Sequence, residues 1–184
     1  MKILNIKTIV ICHSVEDWGE DFDTGIINRL RTRINIYAFS NSRMIVGVSN
    51  KAAKNLERNF QKRIIKYIPN TAGMSPKKDL RHSKKDYLYV GFIGRFSVEK
   101  GIGRFCRIVE EILNKGENLG KVKFIVAGSG PLKSEIEKLE SKYPGNFEYL
   151  GFVNPDRIFG ITDVLLITSN TESMPLVALE AMKN

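Results

Sequence analysis

The stretch "YLYVGFIGRFSVEKG", residues 87–101, decides the fold class of this chain. Residues 87–94 are mostly aromatic, β-branched or small and apolar, which predicts a buried strand. Gly94 then permits a sharp turn off the strand, and a helix is predicted over 100–115. A strand, a glycine-bearing turn and a helix in this order form the repeating unit of a parallel α/β sheet.

The same alternation of strand and helix continues on both sides of this stretch. Further strands are predicted over 6–12, 44–49, 63–70, 121–128 and 163–168, and a short strand within 146–153. Helices are predicted over 25–41, 50–60 and 131–142, after Pro155, and from Pro175. Strands that alternate with helices indicate parallel pairing. The sequence therefore predicts the α/β class, with Rossmann-like, doubly wound parallel sheets.

A polar segment divides the pattern into two domains. Residues 71–86, "TAGMSPKKDLRHSKKD", carry a glycine and a proline among charged residues, a composition typical of a linker. The predicted domains are therefore 1–70 and 87–184, joined by the linker 71–86.

The composition excludes several classes of protein. The chain has 184 residues, of which 42% are hydrophobic and 27% charged, as in ordinary soluble domains. No segment approaches the roughly 18 apolar residues that a membrane-spanning helix needs. Cys12 and Cys106 lie far apart in the sequence, which favours a reduced, cytoplasmic chain over a disulfide framework.

The positive charge of the chain is concentrated in its first half. Residues 1–86 contain 17 Lys or Arg and 8 Asp or Glu, which accounts for the whole net charge of +9. Much of it lies in "RLRTR", residues 29–33, and in six basic residues between 51 and 66. These clusters are either solvated helix faces or surfaces that attract phospholipid or a phosphate-bearing substrate. Nucleic acid is disfavoured, because neither cluster forms part of a known nucleic-acid-binding motif.

Three loops that follow predicted strands carry the candidate site residues. Ligands of open parallel sheets bind beyond the carboxyl ends of the strands, so we expect these loops to face one cleft. In the first loop, Gly94 is followed by Arg95 and Lys100, two cations suited to a diphosphate. The alternative is a simple turn with two solvated cations.

The second loop, "GSGPL", residues 128–132, contains two glycines before a proline. Gly128 and Gly130 allow close approach of the backbone, and Pro131 suits the first turn of a helix. A bare turn explains this loop equally well.

The third loop leads into "ESMPLVALEAM", residues 172–182, whose apolar run predicts a buried helix. Pro175 presets helical geometry and leaves the first N–H groups available to an anion. Glu180 lies roughly 8 Å along the helix, at about 1.5 Å per residue, and can accept hydrogen bonds from ligand hydroxyls. Glu172 precedes the helix and can reach another part of that ligand. Alternatively, Glu180 pairs with an Arg or Lys in the core.

Together, "GRFSVEKG", "GSGPL" and "ESMPLVALEAM" resemble, in order and spacing, the carboxyl-terminal domain of group 1 (family 4) retaining glycosyltransferases of the GT-B fold. The two glutamates separated by seven residues fit that family's characteristic element. The first half is similar to the end of the family's amino-terminal domain in "TIVICH", "SRMIVGVSNKAAKNLERNF" and "IIKYIPN". The resemblance implies two GT-B domains, both incomplete in this chain.

The resemblance also implies a role for most of the candidate residues. Arg95 and Lys100 would hold the diphosphate of a nucleotide-sugar donor, next to the glycine-bearing turns. Glu180 would bind the nucleotide ribose, and Glu172 would contact the transferred sugar as a catalytic residue.

Further roles fall on the first half and on the approach to the last helix. His13 would line the acceptor side of the reacting carbon. Backbone N–H groups around Met174 to Leu176 would help to hold phosphate or sugar, with Pro175 opening the helix. Ser173 and Met174 stand where the family often has a glycine and an aromatic residue, so the identity of the donor sugar stays open.

The function that the resemblance implies is transfer of a sugar, with retained configuration, to a glycan or lipid-linked acceptor. No cofactor or metal is expected, although Asp21 and Asp23 mimic a metal-binding pair of a different fold. The expected location is the cytoplasm, with peripheral contact to an anionic membrane through basic residues 29–66. This chain alone is expected to transfer sugar poorly or not at all. The alternatives are a binding-only remnant or subunit with nucleotide-sugar affinity, and a GT-B nucleotide-sugar epimerase.

Overall fold

The computed structural model describes residues 7–13, 26–72, 87–115 and 121–183. They form two compact units, Met1–Thr71 with Glu172–Pro175, and Ala72–Thr171 with Leu176–Asn184. Most of the predicted linker and the pair Asp21 and Asp23 lie outside the described residues, so the linker boundaries stay a prediction. Within the described residues, no helix has the length and apolar character needed to cross a bilayer.

The first unit contains a parallel three-stranded sheet in the order β1-β2-β3. Its strands are β1 Ile9–Cys12, β2 Met44–Gly47 and β3 Ile64–Tyr67, and its helices are α1 Ile26–Asn41 and α2 Asn50–Asn59. Helix α2 begins at Ser49, whose hydroxyl accepts a hydrogen bond from the N–H of Ala52 at 3.1 Å. A small core joins the sheet to both helices through Cys12, Phe39, Ile45, Leu56 and Phe60.

Helix α1 meets the core of its unit through one aromatic side chain. Leu30, Ile34 and Tyr37 share one face of this helix, and all three are exposed. The buried contact is made by Phe39 instead, whose ring stacks on Phe60 with centroids 5.4 Å apart. The buried side of α1 is therefore the one that carries Phe39.

The second unit contains a parallel four-stranded sheet in the order β6-β5-β4-β7. Its strands are β4 Leu88–Arg95, β5 Val122–Ser129, β6 Phe147–Tyr149 and β7 Val164–Leu165, and its helices are α3 Ile102–Asn114, α4 Lys133–Lys142, α5 Pro155–Phe159 and α6 Leu176–Lys183. The predicted α/β class and the parallel pairing are confirmed.

Alternating residues of β5 show how helices cover both faces of this second sheet. Phe124 and Val126 belong to the large core beneath α3 and α4. Ile125 and Ala127 belong to a second cluster with residues of α5 and α6. A buried parallel strand is therefore apolar on both faces, as the sequence predicts for "KVKFIVAG".

The last helix differs from its sequence prediction. Helix α6 has no buried residue among Leu176–Lys183, although its sequence is almost wholly apolar. Val177 and Ala181, four residues apart, pack against the cluster beneath α5 and α6, while Leu176 and Met182 are exposed. The other described residues of the helix are partly buried, so the expectation of a fully buried helix was wrong.

One strand is shorter than predicted. The segment 163–168 pairs with β4 only through Val164–Leu165, whereas the short strand expected within 146–153 is present as Phe147–Tyr149. Beyond β7, Thr168 directs its hydroxyl to the backbone of the neighbouring loop instead of continuing the ladder.

Candidate functional site

The first two candidate loops lie side by side at the carboxyl edge of the second sheet. Gly94 pairs with Gly128 and Arg95 with Ser129 in the register of β4 and β5. Past the strands, the N–H of Phe96 donates to the carbonyl of Ser129 at 2.9 Å. The loops that carry Arg95 and Gly130 are therefore joined by backbone hydrogen bonds.

Gly128 is required by this close approach. Its φ of 135° lies outside the range that side-chain-bearing residues favour, and an added Cβ would overlap the carbonyl oxygen of Gly94. Gly130 meets the backbone of Phe96 in the same way. Contact between loops therefore accounts for the glycines of "GSGPL", and contact of these glycines with a ligand stays a prediction.

The third loop, between β7 and α6, is tied to the first by hydrogen bonds. The buried hydroxyl of Thr168 donates to the carbonyl of Lys100 at 3.1 Å. The backbone N–H of Asn170 donates to the carbonyl of Glu99 at 2.9 Å, and its side-chain Nδ2 donates to Val98 O at 3.1 Å. The expectation that three separate loops meet at one edge holds in the second unit.

Arg104 clamps the third loop, and sequence reasoning missed it. Its Nη1 donates to the carbonyl of Thr168 at 2.7 Å, and its Nη2 donates to Oδ1 of Asn170 at 2.8 Å. The planar guanidinium suits this double contact better than a lysine would. Nothing in the local sequence identifies these partners, because they lie 64 and 66 residues further along the chain.

Gly101 was also missed as part of this arrangement. It is the N-cap of α3 with a left-handed φ of 69°, and an added Cβ would overlap the carbonyl oxygen of Thr168. The glycine that follows Lys100 in "EKG" therefore lets the third loop lie against the start of α3.

The charges of the first loop have mixed signs. The pKa of Glu99 is lowered, chiefly by a hydrogen bond from the Ser97 side chain and by its own backbone N–H, with a smaller contribution from the charge of Arg95. Glu99 is therefore an anion at neutral pH between two cations, Arg95 and Lys100. This loop carries one net positive charge rather than two.

The remaining candidates of the second unit lie at the end of β4 and on α6. Arg95 is exposed at the carboxyl end of β4, and Lys100 is partly buried at the start of α3. Leu176 begins α6, and Glu180 is partly buried on the same helix. The packing of Val177 and Ala181 on the second hydrophobic cluster fixes the position of that helix.

The first unit holds the other candidates. His13 follows β1 and is exposed, as is Glu172. The hydroxyl of Ser173 lies 2.9 Å from that of Ser49.

Asn70 holds Met174, the residue that follows Ser173, by two contacts. Its Nδ2 donates to the carbonyl of Met174 at 3.1 Å, and its backbone N–H donates to the Met174 sulfur at 3.3 Å. Pro175, which follows, is partly buried. Ser49 and Asn70 were not predicted as partners, because each lies more than a hundred residues before the segment.

The described residues contain no cluster of three or more His, Cys, Asp or Glu able to hold a metal ion.

Burial raises the pKa of the Cys106 thiol to about 11, helped by the nearby charges of Glu135 and Glu110. This thiol therefore stays protonated at neutral pH and is a poor nucleophile.

Comparison with known proteins connects this geometry to one family. The family model described as "Glycosyl transferases group 1" matches residues 88–184, which is more than half of the chain. An uncharacterized glycosyltransferase of Methanocaldococcus jannaschii is 34% identical over 96 residues, covering 50% of this chain and 24% of that protein. A second relative is the gpi3 subunit of the phosphatidylinositol N-acetylglucosaminyltransferase of Schizosaccharomyces pombe. It is 25% identical over 188 residues, covering 98% of this chain and 40% of that protein.

A solved structure agrees with these relatives at the level of the fold. The structure of Staphylococcus aureus TarM, in complex with UDP among other ligands, superposes with a TM-score of 0.69 at 20% identity. The superposition covers 96% of this chain and 35% of TarM, and it shows the GT-B fold. The chain thus spans well under half the length of each of these three proteins.

We predict that Arg104→Ala loosens the third loop. Loss of the hydrogen bonds that this charged side chain donates to residues 168–170 should lower the protection of the Asn170 amide against hydrogen exchange by roughly tenfold. The measurement is native-state hydrogen exchange, with Arg107→Ala, an exposed arginine of the same helix, as the matched control. Equal exchange of the Asn170 amide in both variants would show that Arg104 does not clamp the loop.

We also predict that Gly101→Ala is strongly destabilising, by at least about 2 kcal/mol, because left-handed strain adds to overlap with Thr168. Two control variants separate the backbone strain from the overlap with Thr168 when the free energy of unfolding is measured by chemical denaturation. Gly151 has a φ of 72° but open space around it, so Gly151→Ala should lower the free energy of unfolding by about 1–2 kcal/mol. Gly103 lies inside α3 with open space around it, so Gly103→Ala should raise the free energy of unfolding by about 0.5–1 kcal/mol. A Gly101→Ala variant no less stable than Gly151→Ala would contradict the packing argument.

Proposed function

The chain belongs to the group 1 glycosyltransferase family, and we propose that it takes part in transfer of a sugar from a nucleotide-diphosphate sugar to a glycan or lipid-linked acceptor. Transfer retains the configuration of the anomeric carbon. The observation that carries this proposal is the meeting of three strand-end loops at one edge of the second sheet. Such an edge is where open parallel sheets bind nucleotides.

Arg95 and Lys100 are proposed to hold the diphosphate of the donor. Both follow β4, and Arg95 is exposed at its carboxyl end. A guanidinium offers a planar fork to phosphate oxygens, and an ammonium offers a compact charge. Gly94, Gly128 and Gly130 keep the backbone of this edge free of side chains, so that a diphosphate can approach it closely.

The segment from Glu172 to Glu180 is proposed to bind the rest of the donor. Glu180 accepts hydrogen bonds from the ribose hydroxyls, and Glu172 contacts the transferred sugar. Backbone N–H groups around Met174 to Leu176 lie where the chain enters α6, and the first N–H groups of a helix favour anions. His13 is assigned to the acceptor side.

Catalysis in this proposal rests on stabilising the leaving group. The acceptor hydroxyl oxygen forms a bond to the anomeric carbon, the bond from that carbon to the diphosphate breaks, and the diphosphate leaves with the electron pair. The hydroxyl proton passes to the departing phosphate or to solvent. Fixed cations that meet the developing charge are worth on the order of 3–4 kcal/mol each, and the proposed mechanism uses no metal.

The names of the similar proteins support the choice of substrates. The TarM structure contains UDP, which favours a uridine nucleotide as carrier. The Schizosaccharomyces pombe relative is named for transfer to phosphatidylinositol, which favours an acceptor linked to lipid.

Calorimetry and a transfer assay test the function directly. The 184-residue chain is titrated with UDP and several UDP-sugars and is then incubated with radiolabelled donor and lipid-linked or glycan acceptors. Saturable donor binding together with transfer supports the proposal. Binding without transfer favours a binding module, and release of free nucleotide with an altered sugar, without any acceptor, favours an epimerase. Absence of donor binding contradicts the proposal.

We predict that Glu180→Gln weakens binding of UDP by roughly 10- to 100-fold, because a hydrogen bond to a charged group is worth about 1.5–3 kcal/mol. The fold should survive, since Glu180 is not buried. Calorimetry measures the affinity, and thermal unfolding measures the stability. Glu111→Gln, an exposed glutamate of α3, removes the same charge as a control. A Glu180→Gln variant that unfolds easily but keeps its affinity would indicate a structural ion pair instead.

A further inference from the structure

The three strands of the first sheet end at one edge, because they are parallel and in register. Cys12 of β1 pairs with Gly47 of β2, and Gly47 pairs with Tyr67 of β3. Backbone hydrogen bonds continue past the strands. The N–H of Val48 donates to the carbonyl of Cys12 at 3.3 Å, and the N–H of Ile68 donates to that of Gly47 at 3.1 Å. The residues that follow the three strands are therefore neighbours at this edge.

Three polar side chains follow the strands at this edge. His13 comes directly after β1, Ser49 comes shortly after β2, and Asn70 comes shortly after β3. His13 is the residue assigned above to the acceptor side. Ser49 and Asn70 are partly buried, and the proposed mechanism gives them no role.

These two residues hold the segment Glu172–Pro175. This segment belongs to the first compact unit, although the chain on either side of it belongs to the second. The hydroxyl oxygens of Ser49 and Ser173 lie 2.9 Å apart. Asn70 donates to Met174 twice, from Nδ2 to the carbonyl at 3.1 Å and from the backbone N–H to the sulfur at 3.3 Å. The segment is therefore fixed at two consecutive residues by the edge that carries His13.

Ser49 is itself held firmly in place. Its hydroxyl accepts a hydrogen bond from the N–H of Ala52 at 3.1 Å, as the N-cap of α2. Helix α2 is in turn fixed to the core of the first unit by buried Leu56. A hydroxyl engaged in this way has few orientations left, so it offers Ser173 a partner in one defined place.

We propose that Ser49 and Asn70 are positioning residues that hold Glu172 in place against the transferred sugar. Glu172 directly precedes Ser173, so contacts that fix Ser173 and Met174 also fix the backbone from which its carboxylate extends. A displacement of about 1 Å of a reacting or substrate-binding group is enough to reduce its effect strongly. This inference rests on the proposed function, because it assumes that Glu172 contacts the sugar of the donor.

The groups proposed to hold the nucleotide are separate from these contacts. Arg95, Lys100 and Glu180 belong to the second unit, and none of them takes part in the hydrogen bonds that Ser49 and Asn70 make. Loss of a positioning contact should therefore weaken binding of the sugar portion of the donor and spare the nucleotide portion.

Calorimetry with UDP, UDP-glucose and UDP-N-acetylglucosamine tests this separation on the 184-residue chain. Wild type should bind UDP and at least one of the two UDP-sugars. Ser49→Ala and Asn70→Ala should each raise the Kd for that UDP-sugar by roughly 3- to 10-fold, as expected for one lost hydrogen bond, and should change the Kd for UDP by less than about twofold.

Asn59→Ala is the matched control for Asn70→Ala. Asn59 is an exposed residue of the first unit, and its Nδ2 also donates to a backbone carbonyl, that of Asn55, at 2.9 Å. It does not contact the segment that carries Glu172, so this variant should bind UDP and the UDP-sugar as wild type does.

A second substitution removes the contact between the two serines from its other side. Ser49→Ala also deletes the cap of α2, whereas Ser173→Ala leaves that cap intact and should give the same loss of UDP-sugar affinity. The double variant Ser49→Ala/Ser173→Ala should lose no more affinity than either single variant, because all three lack the same interaction. Circular dichroism confirms that each variant is folded before its affinities are compared.

The possible outcomes separate this inference from the function on which it rests. Unchanged affinities in the variants, or an equal loss for UDP and the UDP-sugar, would overturn the positioning role. Additive losses in the double variant would do the same, as would a wild type that binds UDP but neither UDP-sugar. If wild type and Asn59→Ala both fail to bind UDP, the proposed function itself is wrong.

Discussion

The candidate site depends on the parallel pairing of β4 with β5 on one side and with β7 on the other. Because parallel strands end at one edge, the loops that follow them must share that edge. The register then places Gly94 beside Gly128. The two backbones pass so closely that a side chain at residue 128 would strike the carbonyl of residue 94. Backbone geometry thus sets the distance between these loops, and Arg95 remains exposed beside them.

Side-chain hydrogen bonds hold the connection between β7 and α6, which pairing in the sheet does not hold alone. Strand β7 contributes a ladder of two residues, too short to hold the long connection that follows it. Arg104, Thr168 and Asn170 supply the missing contacts by binding backbone and side-chain groups of neighbouring loops. The connection between β7 and α6 is therefore ordered by α3 as much as by its own strand.

The sequence predicted the order of strands and helices because apolar periodicity and turn residues are local signals. It did not predict the clamp of Arg104, whose partners are distant in the chain, or the early end of β7. In α1 the helix was predicted but its buried side was not, and that side is the one that carries Phe39. In α6 an apolar run suggested full burial, although the helix is only partly buried. Local pattern carried no information about which tertiary surface each helix meets.

The hydrogen bonds between residues 98–100 and 168–170 are formed within the chain itself. The conformational entropy of this segment is therefore lost during folding and is not lost again when a small molecule arrives. Such preorganisation also favours fast association, because these residues do not have to rearrange before a ligand makes contact. Encounter at this edge is then governed by diffusion and by the field of its few charges.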